Sequence, residues 1–387
     1  MTSEATTISP AVQAANTLTA RWCARLGDDD FVVSGAGLWP LLALLASAAD
    51  ETARAELATA LGRPAESGQA DAVELIDILR DGASTTAALG LWTREGIPLN
   101  REWASQLPEG VVGTLTDQEA LDRWASEETG GLIDKFPLEL TSEIVLVLAS
   151  ALAARVTWRT PFDERPRNGK PGSTDPDKQW LSRRTYNLGI AAVLDGTVTR
   201  VVVEGDGDVD VHLLLGDQQP SDVLAAGLRE LSGTAQVSPA TDPDSGGPGL
   251  TVRRVQSTDW NDAVYLKLPS FQISASHDLL ENAELFGLRA LTDLYVSHLP
   301  LLSPVELSIS QGAQGVLARF FAEGFEAAAV TAFGAIPTGG IPIERYEITV
   351  VDAQLDQPFG FIAVHRPSRL AVVAGWVNSP FQEGSRE

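Results

Sequence analysis

A mixed α/β fold is predicted for this chain of 387 residues by three observations. Apolar residues recur at helical spacing through the first sixty positions, short strand-like apolar runs recur beyond position 140, and no internal repeat separates the two regimes. Hydrophobic residues at 44% can fill a sizeable core, and charged residues at 21% are ordinary for a globular protein. The length exceeds the usual single domain, yet large mixed folds reach it as one unit, so a single domain spanning 1–387 is expected.

The elements follow in order. Val12, Ala15, Leu18 and Trp22 share one helical face, with Ser9-Pro10 as a start and Gly27 as a stop. Cys23 lies beside this face as a packed thiol. Phe31 to Val33 reads as a strand, Leu38 to Ala48 as a buried helix, and Thr52 to Leu61 as a helix closed by Gly62. A helix starting at Thr116 is expected from the capping box Thr116-x-x-Glu119, ending near Gly130 and Gly131. Ile144 to Ala154 is apolar except for Ser150, which suits a strand buried on both faces. Val201 to Val203 and Val209 to Leu215 flank Glu204-Gly-Asp-Gly207 as a hairpin, with Asp210 and His212 facing outward. Further strands are expected at Val264 to Leu268, Tyr346 to Val351 and Leu370 to Val373. Two polar stretches, Glu164 to Gln179 and Pro239 to Gly249, read as long surface loops.

Charge and composition exclude several functions. A formal net charge of −24 and a pI near 4.5 repel phosphate backbones and anionic membranes, so neither nucleic acid nor membrane is expected as a partner. No apolar run approaches the roughly 20 residues that span a bilayer. The N-terminal residues show no basic region followed by an apolar core, which makes the cytoplasm the expected compartment. Cys23 is the only cysteine, so no disulfide framework is available. The four histidines, His212, His277, His298 and His365, lack metal-ligand spacing. No nucleophile elbow, phosphate loop or dinucleotide fingerprint is present, and neither enzyme activity nor a cofactor is expected. Asp206, Asp208 and Asp210 resemble a calcium loop only superficially, because Val211 stands where such a loop needs glycine.

The segment Ala322-Glu-Gly-Phe-Glu-Ala-Ala-Ala-Val-Thr331 carries the functional argument. By propensity Glu-Ala-Ala-Ala favours a turn of surface helix. Alternation favours a strand: Phe325, Ala327, Ala329 and Thr331 form one uncharged face, while Glu326, Ala328 and Val330 form the other. No proline interrupts the run before Pro337, so the segment can enter the interior of a sheet.

This run resembles the hinge of the serpins, in which a protease-cut loop inserts into a β-sheet. Other phrases extend the resemblance over nearly the whole chain. They include Glu51-Thr52 with Leu57 and Leu61-Gly62, Leu91-Trp92 with Glu95-Gly96, and Trp124 with Thr129-Gly-Gly-Leu-Ile133. Ile144 to Val147 with Trp158 and Pro161-Phe162, Leu268-Pro-Ser-Phe271, Pro358-Phe359 and Gly375-Trp-Val-Asn-Ser-Pro380 continue it in order. The resemblance implies one α/β domain with three sheets, about eight or nine helices and an exposed reactive loop, with loop and hinge at about 323–343. It also implies a monomeric suicide inhibitor of a serine protease, whose native state is held kinetically.

Carried onto this sequence, the hinge is Glu323, Gly324, Phe325, Glu326, Ala327, Ala328, Ala329, Val330 and Thr331. The bait bond is Thr338-Gly339, fourteen residues beyond Gly324, with Ala335-Ile336 as a rival. A small residue there implies an elastase-like or subtilisin-like target. The sheet-opening region corresponds to Ser34, Ser150, Trp158 and Gln314. Three departures stand out. Phe325 replaces a small first hinge residue, an overpacking that would slow insertion. Ser150 and Gln314 replace Asn and His, and Ala322 and Ser270 replace a Glu and Lys that would pair. The first two departures favour the alternative of a non-inhibitory binding or carrier serpin, whereas loss of the pair weakens one restraint on insertion.

Overall fold

The computed structural model describes residues 8–81, 84–107, 111–131, 134–136, 138–141, 144, 146–166, 179–242, 246–293, 295–309, 311–325 and 345–378. Helices dominate the first eighty residues. α1 (Pro10–Cys23) starts where Ser9 Oγ accepts the Val12 amide and Pro10 presets φ, and it ends at Cys23, before Gly27. β1 (Phe31–Val33) leads into α2 (Gly35–Ala48), which is buried almost all round, as its Leu-rich composition requires. Asp50 caps α3 (Glu51–Leu61), and Gly62 ends it in the left-handed conformation. α4 (Gly68–Asp81) buries Ala72, Leu75, Ile76 and Leu79, an i, i+3, i+4, i+7 stripe.

The next block is β2 (Thr85–Arg94), α5 (Arg101–Ala104), β3 (Val112–Leu115), α6 (Gln118–Thr129) and β4 (Leu146–Ala154). α6 begins one position later than the expected box. Asp117, whose carboxylate accepts more strongly than the Thr116 hydroxyl, is the N-cap and accepts from the Ala120 amide. Leu121 and Ala125 of α6 pack with Leu115, Phe136, Ile144 and Val147, against the ladder β3-β2-β4.

After β4 come β5 (Val156–Thr157), β6 (Asp163–Pro166), β7 (Gln179–Thr185), β8 (Ala191–Leu194), β9 (Val198–Val203), β10 (Val209–Leu215), α7 (Pro220–Leu231) and β11 (Val237–Pro239). β9 and β10 form the expected hairpin, with Val203 opposite Val211. Asp210 and His212 do not face solvent, contrary to expectation. Asp210 pairs with Arg366 and accepts the Gly205 amide, and α7 brings Glu230 over His212 and Arg200. Burial raises the Glu230 carboxyl, but His212 and Arg200 outweigh it and leave Glu230 below its usual range.

The remaining elements are β12 (Leu250–Ser257), β13 (Ala263–Pro269), β14 (Phe271–Asp278), α8 (Ala283–Phe286), β15 (Ala313–Phe320), β16 (Gly324–Phe325), β17 (Tyr346–Gln354), β18 (Phe359–His365) and β19 (Leu370–Val377). β18 and β19 are buried throughout and centre the antiparallel sheet β1-β19-β18-β10-β9-β8-β11. Asn16 of α1 fastens to β19 by donating to the Arg369 carbonyl and accepting the Ala371 amide. A five-stranded sheet runs β12-β17-β13-β7-β6, with β17 parallel to β13 and antiparallel to β12. β12 lies just after a stretch read as loop. Its burial alternates only as far as Arg253-Arg254, where both side chains are exposed.

Candidate functional site

Two ladders, β3-β2-β4 and β14-β15, lie side by side: β4 and β15 approach within 8 Å. Among the described residues no hydrogen-bonded ladder joins them along their length. Only β5 and β16 pair, at one end.

That end is built from the chain reversal after β15. The Phe321 amide donates to the Gly324 carbonyl at 2.9 Å, and the chain turns back. Gly324 and Phe325 then run antiparallel to Thr157 and Val156. Backbone donors of the opposite segment hold the turn: Trp158 N–H reaches the Glu323 carbonyl at 2.9 Å, and Phe162 N–H reaches the Ala322 carbonyl at 2.8 Å. The Trp158 indole N–H adds a bond of 2.9 Å to the Phe321 carbonyl. A Cβ on Gly324 would stand 2.2 Å from the Val156 carbonyl oxygen, so only glycine lets these backbones meet.

Aromatic rings fill the space beneath the turn. Phe320 lies 4.7 Å from Trp158, 5.7 Å from Phe162 and 5.3 Å from Phe271 between ring centroids. Phe325 is only 2% exposed and sits 6.4 Å from Phe361. The ring expected to slow insertion is already buried in this structure, and that burial stabilises the fold. Glu164 is held above the usual carboxyl range, first by burial and then by the nearby charge of Glu323. Ala322 and Ser270, in place of a charged pair, are both buried.

Farther along β15, Gln314 binds Ser34 with both ends of its amide. Its Oε1 accepts the Ser34 amide and its Nε2 donates to the Ser34 carbonyl, each at 2.9 Å. Ser34 Oγ donates to the Val372 carbonyl at 2.7 Å and accepts the Gly37 amide, capping α2. His277, opposite Gln314 across the β14-β15 ladder, meets the Val32 carbonyl at 2.8 Å. The structure thus gathers Ser34 and Gln314 at one place and Trp158, Glu323, Gly324 and Phe325 at another. Ser150 lies on β4 opposite Leu89, and its side chain is outside the described residues. Glu326, Ala327, Ala328, Ala329, Val330, Thr331, Thr338 and Gly339 also lie outside them.

The model of the serpin (serine protease inhibitor) family matches residues 12–171. An antichymotrypsin of Bombyx mori is 24% identical over 355 residues, covering 86% of each chain. The chain is similar to serpins over most of its length. The leukocyte elastase inhibitor of Bos taurus is 25% identical over 68% of this chain and 66% of its own length. Among solved structures, native tengpin, a thermophilic serpin, aligns with a TM-score of 0.69 at 17% identity, covering 95% of this chain and 93% of its own. Thyroxine-binding globulin in complex with thyroxine aligns with a TM-score of 0.68 at 17% identity, over 96% and 99%. The fold is that of a serpin, with mixed helices and several sheets. Both curated relatives, the antichymotrypsin and the leukocyte elastase inhibitor, carry the names of protease inhibitors.

Two features of the chain escaped the sequence reading. Ser34 and Gln314 were placed in one region, but the bond between these residues 280 apart was not read, because a polar residue in a strand does not name its partner. β12 carried a faint signal in Leu250 and Val252. Among the described residues, no group of His, Cys, Asp and Glu has the geometry to hold a metal ion. Asp208 instead accepts the Ser84 amide. No helix described is long and apolar enough to cross a membrane.

Proposed function

We propose that this protein is a suicide inhibitor of a serine protease, acting as one domain over 1–387. Cleavage of the loop at Thr338-Gly339 lets the hinge continue from Phe325 into the gap between β4 and β15. The observation that carries this reading is the reversed strand β16, already antiparallel to β5 and aimed along that gap. Each residue that follows gains ladder hydrogen bonds worth about 1 kcal/mol apiece, and the uncharged face headed by Phe325 can be buried without a stranded charge. An acyl-enzyme formed at Thr338 would be carried with the strand before water releases it.

A small residue at 338 suits an elastase-like or subtilisin-like pocket, and the inhibitor is proposed to act as a monomer in the cytoplasm. The deciding experiment incubates the protein with pancreatic elastase, subtilisin and trypsin. A complex that survives boiling in detergent, a cut mapped to Thr338-Gly339 by mass, and a large rise in melting temperature are expected. Clean turnover with unchanged melting would instead support a binding or carrier serpin. That second reading draws on the likeness to the thyroxine-bound globulin and on the altered residues at 150 and 314.

A further inference from the structure

Three of the chain's four tyrosines stand at one corner of the five-stranded sheet, beside its most exposed tryptophan. Trp260 is 72% exposed, Tyr186 55%, Tyr346 41% and Tyr265 40%. The corner is rigidly built. The Arg184 guanidinium lies 4.9 Å over the Tyr186 ring and 5.5 Å over Tyr265. Arg184 and the Tyr186 hydroxyl both bind Asp259 Oδ2, at 2.9 and 3.0 Å. Asp259 Oδ1 accepts the Asn261 amide, which fixes the turn carrying Trp260. Ser257 accepts the Asp259 amide with its Oγ and sits opposite Tyr346, where β17 begins.

We propose that this corner is a second docking surface for the protease that attacks the loop. The proposal rests on the inhibitory reading. Tyr346 follows the bait bond by seven residues, about 25 Å of extended chain at most. A catalytic domain of about 200 residues has a radius of gyration near 16 Å, so one gripping Thr338-Gly339 overlies the corner with its flank. Tyr, Trp and Arg are the residues that dominate protein–protein binding energy, and those here are preorganised. Beside Tyr265 a depression of about 350 Å³, edged by Arg184, Lys267 and Asp352, has room for a partner side chain. The partner surface that fits is apolar, with carboxylates for the exposed Arg345. With a net charge of −24, the chain as a whole disfavours an anionic membrane at this face.

The test compares the wild-type protein with Tyr186→Ala/Trp260→Ala in association with pancreatic elastase and with subtilisin. The double variant is expected to slow covalent complex formation about tenfold or more with the protease that is trapped. The stoichiometry of trapping and the melting temperature should stay unchanged. Trp260→Ser alone, expected to slow it several-fold, serves if the double variant folds poorly. Equal association rates would overturn the docking surface and leave the inhibitory reading intact. If neither protease is trapped by the wild type, both readings fall. A dimer in sedimentation that the double variant abolishes would assign the corner to a second copy and overturn the proposal.

Discussion

The two ends of β15 are held by different means. At the Trp158 end three backbone bonds, an indole bond and a set of packed rings secure the turn. At the Gln314 end one side-chain amide grips the Ser34 backbone, next to the His277 contact with β1. Under the proposed mechanism the Trp158 end must stay folded, because the incoming strand would grow from it, whereas the Gln314 end, held to Ser34 by one amide, can part at smaller cost. On that reading insertion would start at Trp158 and proceed toward Gln314.

Four substitutions and one titration would break or sharpen that contrast. Ala327→Arg has the largest expected effect, because the inserting face would bury a charge at a cost of several kcal/mol. It should leave loop cleavage intact and abolish detergent-stable complex, read by gel electrophoresis. Phe325→Ala should destabilise the uncut protein by about 3 kcal/mol through the cavity left beside Phe361, measured by urea denaturation. Trapping would be retained or accelerated. Gly324→Ala forces a Cβ against the Val156 carbonyl and should cost about 1–3 kcal/mol. Faster hydrogen exchange at Phe325 and Trp158, with Gln314 contacts untouched, would report it. Gln314→Leu leaves the Ser34 amide and carbonyl without that partner and should cost about 2 kcal/mol. Faster exchange should then appear at the other end, at Ser34.

The smallest effect is a pH dependence away from both ends. Burial lowers the pKa of His365, with Asp208 opposing the shift only in part. The folded state therefore binds that proton less readily than the unfolded chain. Stability tied to the neutral ring is present above the ordinary imidazole value and is lost as pH falls below about 6.5. One proton gives a slope no steeper than about 1.4 kcal/mol per pH unit. His365→Gln should flatten it in melting curves between pH 7 and 5.

Much of the architecture was legible in the sequence because it rests on local signals. Ser9-Pro10, Gly62 and the Val203–Val209 hairpin each act within a few residues. Thr116 failed as a cap because Asp117 offered a better acceptor one position on. The site was read in part. Alternation set Phe325 on the uncharged face of a strand whose continuation lies outside the described residues, and its packing beside Phe361, 36 positions away, left no local signal. Asp210 and His212 were misassigned to solvent because Arg366 and α7, which cover them, are distant in the chain.

The lodging of β17 between β12 and β13 bears on how long a molecule working by the proposed mechanism would stay armed. Twenty residues separate Phe325 from Tyr346, a span of about 75 Å at most when drawn taut. Lining β5 and β4 from Thr157 to Leu146 takes about 37 Å, and coming back to Tyr346 takes a comparable distance. An unbroken connection therefore reaches only when fully taut, with no slack. Slack could come only from stripping β17 out from between two neighbours at once. Ageing into a spent form without a cut would be opposed by the length of the tether itself.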